Sequence, residues 1–321
     1  MTKLRACLTG CGDIGYRFDK ERDGEGALTH FKAMLDSGLF EFCGAADTDE
    51  EVLKEISDKY GIPVFTDAVK MWNETKPDVI TIASNDETHV PSLRSALDCS
   101  PKAVFCEKPL GLCKDEVSEV TAMYESMHVP LQVNYTRRFL NEFSDIGRML
   151  KSGKLGIINS VTFYYGRGLI HNASHYIDLV LMYFGMPEEV VTLSSRSGLG
   201  ESDFSYSFRL GYKGGMEILF IALQPTRLSF AEIDIVGSEG RIRFNYRNEI
   251  EKYAVTSNSR FSGYTMYELT ESVPVKFEEA LPAAYRNIYG AVMNGDALLC
   301  PGSGSIQIFE MINRIKEQYN V

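Results

Sequence analysis

Two histidines lie four positions apart in the segment GLIHNASHYIDLVLMYFG, residues 168–185. Because imidazole both ligates metals and transfers protons near neutral pH, this spacing has three interpretations. His171, His175 and Asp178 could bind a metal ion, the two histidines could cap a helix, or His175 could act as an acid–base group. No HExxH sequence or further nearby histidine completes a zinc site, so proton transfer is favoured and no metal is predicted.

The residues around His175 predict a helix over 173–184. The apolar positions with the i, i+3, i+4 and i+7 spacing of a buried stripe are Ile177, Val180, Leu181 and Phe184. His175 and Asp178 then fall on the opposite side of the helix, away from the core. With Asn172 as the N-cap, His175 lies in the first turn, where the positive end of the helix dipole favours the neutral imidazole that a general base requires.

A second chemical motif is FCEKPLG, residues 105–111, at the end of an apolar run. Ligands of open α/β sheets bind at the carboxyl ends of the strands, so Lys108 could polarise a substrate oxygen there. Glu107 could hold that lysine or the ribose of a nicotinamide cofactor. The alternative is a surface ion pair at a strand-to-loop turn.

A third motif is TGCGDIG, residues 9–15, directly after the first apolar run. Gly10, Gly12 and Gly15 have the GxGxxG spacing that permits a tight turn and close approach of a pyrophosphate, although similar turns occur without a ligand. The second apolar run ends in Asp47, which either accepts the ribose hydroxyls of a dinucleotide or is an ordinary turn residue. No arginine follows it, which favours NAD over NADP. The charged stretch 17–26 is predicted to be a flexible surface loop inserted before a helix that begins near Thr29.

The elements that must position these groups change character near residue 135. Before it, apolar runs alternate with helical patterns, which is typical of a parallel sheet covered on both faces. The predicted strands are 4–10, 41–47, 78–84, 102–107 and 130–135, and the predicted helices are 28–37, 50–60, 88–97 and 114–127. We therefore predict a doubly wound α/β Rossmann domain over residues 1–134.

The second part of the chain, residues 135–321, is predicted to be an α+β domain. Runs with period-two alternation indicate a large, open and mainly antiparallel sheet with one face exposed to water. These runs are 160–166, 191–197, 205–212, 216–223, 231–237 and 241–247, and helices are predicted at about 139–151, 283–294 and 304–318.

Composition narrows the possible partners. The net charge of -11 argues against nucleic acid, because phosphates would be repelled over most of the surface. No apolar run approaches the length of a membrane span, and no cleavable signal pattern precedes the first strand. Seven cysteines without a CxxC pair suggest neither a disulfide framework nor a zinc knuckle. A cytoplasmic protein is the expectation.

Together the motifs resemble a known family. TGCGDIG, the Asp47 strand end, ASNDETH (83–89), CEKPLG, NYTRRF (134–139) and NASHYIDL (172–179) have the order and spacing found in the family of glucose–fructose oxidoreductase, inositol dehydrogenase and MocA. The resemblance covers nearly the whole chain. It implies a Rossmann domain joined to an open antiparallel sheet, NAD(P)-dependent oxidation or reduction of a sugar, polyol or nucleotide-sugar hydroxyl, and a homodimer or homotetramer formed through that sheet.

The resemblance also implies roles for individual residues. Lys108 would contact substrate and nicotinamide, and His175 would be the acid–base residue. The cofactor-binding positions are Gly10, Gly12, Asp13, Ile14, Gly15, Asp47, Ser84, Asn85, His89, Glu107, Lys108 and Asn134, with NAD preferred. The substrate-binding positions are Tyr135, Arg138, Asn172, His171 and His175. His171 stands where many members have an aspartate, so it is assigned to catalysis as a second imidazole that could relay a proton or bind a substrate group.

The predicted reaction is hydride transfer between NAD and a hydroxyl carbon, with His175 taking the hydroxyl proton and Lys108 stabilising the charge on oxygen. Further aromatic and basic residues either flank the cleft or lie on a surface or sheet face: Tyr135, Arg137, Arg138, Tyr164, Tyr165 and Arg167. Two other function classes stay open. One is a lyase or glycosidase that retains its NAD, and the other is a non-catalytic NAD-binding sensor.

Overall fold

The computed structural model describes residues 2–22, 24–197, 203–224 and 230–319. The chain divides into two compact units. The first contains Met1–Leu140 with Lys276–Ile306, and the second contains Asn141–Val275 with Gln307–Val321. The α-helices of the described chain are α1 His30–Asp36, α2 Glu50–Tyr60, α3 Ala68–Thr75, α4 His89–Leu97, α5 Lys114–Ser126, α6 Asn141–Lys151, α7 Ser174–Phe184, α8 Ala280–Asn294 and α9 Ser303–Glu317.

The first unit is built on a parallel sheet of six strands with the order β3-β2-β1-β4-β5-β6. The strands are β1 Leu4–Thr9, β2 Phe40–Ala46, β3 Val64–Phe65, β4 Val79–Ile82, β5 Ala103–Cys106 and β6 Leu131–Val133. Every residue of β4 and β5 is buried, as continuous apolar runs predict for strands covered on both faces. Side-chain caps start the flanking helices: Thr29 accepts a hydrogen bond at the start of α1, and Asp49 accepts two at the start of α2.

The first crossover has an insertion within its helical turn. The N–H of Tyr16 donates to Gly12 O at 2.8 Å, as in the first turn of a helix. The next helical hydrogen bonds come from much later residues, because the N–H of His30 donates to Ile14 O at 3.0 Å and that of Phe31 donates to Gly15 O at 2.9 Å. Residues 16–29 therefore interrupt a single series of helical backbone hydrogen bonds, which resumes at His30.

The inserted loop is tied to the protein rather than extended into solvent. The Asp19 carboxylate accepts hydrogen bonds from the N–H groups of Leu28 and Thr29, both at 2.8 Å. Arg17–Asp19 forms a short 3-10 turn, whereas Asp23 lies outside the described residues. Asp19 thus fixes the far end of the insertion where α1 begins.

The second unit contains a sheet of eight strands with the order β14-β13-β12-β11-β7-β10-β9-β8. The strands are β7 Ile158–Tyr165, β8 Glu189–Arg196, β9 Ser205–Gly211, β10 Glu217–Ala222, β11 Glu232–Gly237, β12 Gly240–Phe244, β13 Glu249–Ser257 and β14 Thr265–Pro274. The pairing is antiparallel except between β7 and β10. Stacked rings fill the core, with the centroids of Phe163 and Phe208 lying 4.6 and 4.3 Å from that of Phe220.

The predicted fold class is confirmed: a Rossmann-type parallel sheet and a second, mostly antiparallel sheet. The prediction missed β3, α3, β13 and β14. It also placed residues 276–306 in the second domain, whereas they cluster with the first unit. The reason lies in α8, whose Tyr285 hydroxyl bonds to Thr81 of β4 and to His30 of α1. No helix among the described residues is long and apolar enough to cross a membrane.

Candidate active site

A cleft of about 390 Å³ opens at the carboxyl ends of β1, β2 and β4. Its lining includes five of the residues predicted to bind a cofactor: Gly10, Gly12, Asp47, Ser84 and Asn85. These residues come from three different strand ends, which meet here because parallel strands end at the same edge of the sheet. The structure therefore brings together the residues that the glycine motif, the Asp47 strand end and the ASNDETH segment contribute separately.

The glycine turn has room for a pyrophosphate. A Cβ atom at Gly15 would lie 2.1 Å from Gly10 O, so this glycine is required by packing within the turn. A Cβ atom at Gly12 would meet no protein atom within 4 Å. Gly12 thus faces open space in the cleft, beside the first turn that follows β1. The residues present therefore fit a dinucleotide phosphate. Asp13 and Ile14 lie within the same turn.

Asp47 lies at the end of β2 with a fixed carboxylate. Its two oxygens accept hydrogen bonds from the N–H of Cys11 at 2.6 Å and from the N–H of Asp49 at 2.9 Å. Each carboxylate oxygen can accept more than one hydrogen bond, so Asp47 retains capacity for ribose hydroxyls.

Arg17 also lines this cleft, and the sequence analysis missed it. Its guanidinium Nη2 lies 2.6 Å from Asp49 Oδ2. The prediction considered only the residues that follow Asp47, whereas this arginine comes from the insertion in the first crossover. No spacing in the sequence links the two segments.

Glu107 lies at the end of β5 in a buried hydrogen-bond network. Its Oε1 accepts from His30 Nε2 at 2.9 Å and from Asn134 Nδ2 at 2.5 Å, and its Oε2 accepts from the N–H of Lys108 at 3.2 Å. Burial by itself raises the pKa of Glu107, but the hydrogen bonds from His30 and Asn134 and the charge of Lys108 outweigh it. The pKa of Glu107 therefore lies below its ordinary value, and the carboxylate is ionised beside the half-buried Lys108.

The network extends through the interior of the first unit. His30 Nδ1 lies 3.0 Å from the Tyr285 hydroxyl, which lies 2.8 Å from Thr81 Oγ1. Since a carboxylate only accepts, His30 donates from Nε2 to Glu107, while its Nδ1 is in hydrogen-bond contact with the Tyr285 hydroxyl. We call Thr81, Tyr285, His30 and Glu107 the buried relay. Sequence analysis found only Glu107, because residues so far apart in the chain show no common spacing.

His89 joins two loops beside the cleft. Its ring is fully buried, with Nδ1 2.7 Å from Pro109 O and Nε2 2.9 Å from Ser84 O. Burial by itself lowers the pKa of His89. The neighbouring Cys106 and the two carbonyl acceptors raise this pKa by more than burial lowers it, to about 10. With both ring nitrogens bound to protein carbonyls, His89 holds together the loops that follow β4 and β5. It therefore supports these loops, whereas the sequence predicted a direct contact with the cofactor.

The histidine segment begins differently from the prediction. Leu169–Ala173 forms one turn of π-helix, and α7 begins at Ser174. The predicted N-cap is wrong, because the Asn172 amide donates to Gly166 O at 2.8 Å instead of accepting from α7. His175 nevertheless lies in the first turn of α7 and is half-buried, while His171 is exposed.

The carboxylate of Asp203 caps this segment, and the sequence analysis did not find it. Its Oδ1 accepts from the N–H groups of Leu169 and Ile170, both at 3.0 Å, and its Oδ2 accepts from that of His171 at 2.8 Å. Gly168 has a φ of +93°, and a Cβ atom there would lie 2.0 Å from Asp203 Oδ2. The glycine therefore permits both the left-handed backbone and the close approach of the carboxylate.

One orientation predicted in the second unit is wrong, and one alternative left open there is decided. Asp178 is 1% exposed, so the side of α7 that carries it is buried as well as the side that carries Ile177 and Val180. Tyr165 is fully buried in the sheet, where its hydroxyl donates to Tyr206 O at 2.6 Å. The alternation along β7 turns Tyr165 to the same face as Val161 and Phe163, so it belongs to the core.

The remaining predicted residues differ in exposure. Tyr135 is buried, Tyr164, Arg137 and Arg138 are half-buried, and Arg167 is exposed. The Arg137 guanidinium lies 5.7 Å from the centre of the Phe277 ring within the first unit. Within the described ranges, no group of three or more His, Cys, Asp or Glu side chains could hold a metal ion.

Known proteins were compared with the chain. The model of the oxidoreductase family with an NAD-binding Rossmann fold, GFO_IDH_MocA, matches residues 7–135. The predicted resemblance to this family is thereby confirmed over that part of the chain. Rhizopine catabolism protein MocA of Rhizobium meliloti is 26% identical over 51% of the chain, and the match spans 47% of MocA. Inositol 2-dehydrogenase 2 of Saccharopolyspora erythraea is 28% identical over 71% of the chain and 68% of that protein.

The similarity of fold to solved structures extends over both units. The crystal structure of the WlbA dehydrogenase from Bordetella pertussis, in complex with NADH and UDP-GlcNAcA, is similar with a TM-score of 0.76. It is 17% identical, and the likeness covers 99% of this chain and 97% of WlbA. The predicted resemblance to this family and the predicted class, an NAD(P)-dependent oxidoreductase, are confirmed.

Proposed function

We propose that this protein transfers a hydride between NAD and a hydroxyl carbon of a sugar, polyol or nucleotide sugar. The observation that carries the proposal is the cleft in which Gly12 faces open space and Asp47 presents a fixed carboxylate. The relative named inositol 2-dehydrogenase 2 and the WlbA structure with a nucleotide sugar support the substrate class. NAD is favoured over NADP because a carboxylate at the end of β2 accepts the ribose hydroxyls and repels a 2'-phosphate.

Each residue in the proposed site has a separate task. Gly10, Gly12 and Asp47 would hold the dinucleotide together with Ser84 and Asn85, which line the same cleft. When bound, the cofactor supplies the redox chemistry by accepting or giving a hydride at its nicotinamide ring.

Lys108 and His175 are proposed to act on the reacting hydroxyl. In the oxidation direction His175 removes the hydroxyl proton, a step that needs the neutral imidazole. Lys108 stabilises the negative charge that develops on the oxygen. Glu107 keeps a negative charge beside that lysine, which favours its ammonium form. His171 is proposed to bind a substrate hydroxyl or to relay the proton to solvent.

A substrate panel tests the function directly. Polyols, sugar acids and nucleotide sugars are each incubated with the protein and NAD, and NADH formation is followed by its absorbance. Ligand-induced thermal shift is measured in parallel, because it reports binding without turnover. NADH formation with at least one compound is the expected result. Ligand binding without any NADH formation would instead favour a non-catalytic NAD-binding sensor.

Lys108→Met separates chemistry from cofactor binding once a substrate is known. We expect turnover to be abolished while the affinity for NAD changes little, because methionine keeps the length of the side chain but removes its charge. Retained turnover would remove Lys108 from the mechanism.

The proposal includes a cytoplasmic homodimer or homotetramer. Apolar side chains on β14 support association through the eight-stranded sheet, since Met266 is 45% and Leu269 is 51% exposed. All seven cysteines are free thiols, which is typical of a reducing compartment. Sedimentation velocity of the protein and of a Leu269→Glu variant tests the association: loss of the oligomer in the variant is expected, and a monomeric parent protein contradicts it.

A further inference from the structure

The insertion in the first crossover supplies the cation that lines the cofactor cleft. Among the described residues of that lining, Arg17 is the one basic side chain. The same lining includes Asp47 and Thr48, which follow β2 where a Rossmann domain binds the ribose of the adenosine half. A 2'-phosphate at this position needs a nearby arginine. The fold therefore places a suitable guanidinium beside the ribose site.

Asp49 already engages that guanidinium. Arg17 Nη2 lies 2.6 Å from Asp49 Oδ2, while Asp49 Oδ1 accepts from the N–H of Glu51 at 3.0 Å and caps α2. Oδ1 also accepts from the N–H of Val52 at 3.4 Å, so one oxygen of the carboxylate caps α2 while the other pairs with Arg17. Asp49 could not turn away from Arg17 without weakening the start of α2.

The segment that carries Arg17 is fastened on both sides. The Arg17 N–H donates to Gly12 O at 3.0 Å, which anchors it to the glycine turn. On either side of it, the Tyr16 hydroxyl donates to Glu55 Oε1 at 2.9 Å and Lys20 Nζ lies 2.7 Å from Glu55 Oε2. Because these contacts fix the backbone against α2, the position of Arg17 at the edge of the cleft is built into the fold.

We propose that Asp49 is a specificity-determining residue for the cofactor. By holding Arg17 in an ion pair, it withholds the guanidinium that would otherwise bind a 2'-phosphate. Selectivity for NAD then depends on two carboxylates, Asp47 at the ribose and Asp49 at the arginine. This inference rests on the proposed function, since it requires the cleft to bind a dinucleotide.

Asp49→Asn is the matched test of this inference. Asparagine caps helices about as well as aspartate does, so α2 keeps its start while the ion pair is lost. Titration calorimetry at low salt measures the dissociation constants of NAD, NADP and ADP-ribose, and no substrate is needed. We expect the affinity for NADP to rise about tenfold relative to NAD, because the released guanidinium can pair with a phosphate that carries more than one negative charge.

Two further variants distinguish the loss of the Arg17–Asp49 ion pair from the loss of any nearby negative charge. In an Asp49→Asn, Arg17→Gln double variant the gain for NADP should disappear, since the released guanidinium is what binds the phosphate. Glu51→Gln removes one exposed negative charge from the same helical turn without contacting Arg17, and it should change the ratio less than about twofold. The gain in Asp49→Asn should also shrink at high salt, because the contact is exposed.

The outcomes distinguish this inference from the proposed function. Equal gains for NADP in Asp49→Asn and Glu51→Gln, or a gain that survives Arg17→Gln, would overturn the role of the Arg17–Asp49 pair. No gain in Asp49→Asn would overturn it as well. If the parent protein binds neither NAD, NADP nor ADP-ribose, the proposed cofactor site itself is wrong.

Discussion

Asp203→Ala tests whether a single carboxylate positions the histidine segment. Removing it leaves the N–H groups of Ile170 and His171 without their hydrogen-bond acceptor, while that of Leu169 keeps Phe204 O at 2.9 Å. Loss of one helix cap costs about 1 kcal/mol, and hydrogen bonds to charged acceptors are stronger than neutral ones. His171 is exposed, so water satisfies part of the loss. We expect a cost of about 2 kcal/mol in the free energy of unfolding of the second unit.

Thermal unfolding and amide hydrogen exchange measure the effect. For a unit of this size, about 2 kcal/mol lowers Tm by roughly 4–8 °C. Exchange at Ile170 and His171 should accelerate, whereas NAD affinity should be unchanged because the cofactor cleft is formed by the first unit. Asp203→Asn keeps one acceptor oxygen and should lose about half as much. The control is Glu271→Ala, which removes an exposed carboxylate from the same unit. An unchanged Tm together with unchanged exchange at both amides would refute the capping role.

Three further predictions concern the first unit. Gly12→Ala should keep the stability of the protein but lower NAD affinity at least tenfold, whereas Gly15→Ala should destabilise the fold itself; calorimetry and urea unfolding distinguish the two. Tyr285→Phe should lower the free energy of unfolding by about 1–3 kcal/mol, because it breaks the buried relay. Its control is Tyr124→Phe, which removes a buried hydroxyl bound to one carbonyl and should leave NAD binding intact. The raised pKa of His89, about 10 against an ordinary 6.5, means that its contribution to stability is complete below about pH 6.5 and is lost as the pH rises toward 10. His89→Gln should therefore flatten the pH dependence of urea unfolding over this range, and an unchanged slope would contradict the assignment.

The sequence predicted the elements whose pattern follows directly from burial. Strands β4 and β5 read as continuous apolar runs because both faces are covered, and β12 alternates because one face is buried. Strand β14 escaped prediction because nearly all of it is exposed, so no apolar period marks it. Strand β3 has only two residues, which is too short for any periodicity.

Site residues were predictable where a local motif marks them. They were unpredictable where their hydrogen-bond partners are distant in the sequence. Gly12, Asp47 and Glu107 each stand at the end of an apolar run, which indicates a strand end at one edge of a parallel sheet. Tyr285 and Asp203 carry no such signal, because each acts on backbone or side chains that are remote in sequence. Hydrogen bonds of this kind depend on tertiary packing, which periodicity does not report.

Across the insertion of residues 16–29, distance along the chain differs from distance along the hydrogen bonds. Measured along the chain, His30 lies far from the glycine turn and appears to be an ordinary first residue of a helix. Measured along the hydrogen bonds, it follows Ile14 directly, because its N–H closes the ladder that the glycine turn opens. The insertion therefore leaves the helix geometry at this edge of the sheet intact and still delivers His30 to Glu107. What the insertion adds is Arg17 beside the cleft, so a loop predicted only as a charged surface insertion supplies the cation on which the choice of cofactor is proposed to depend.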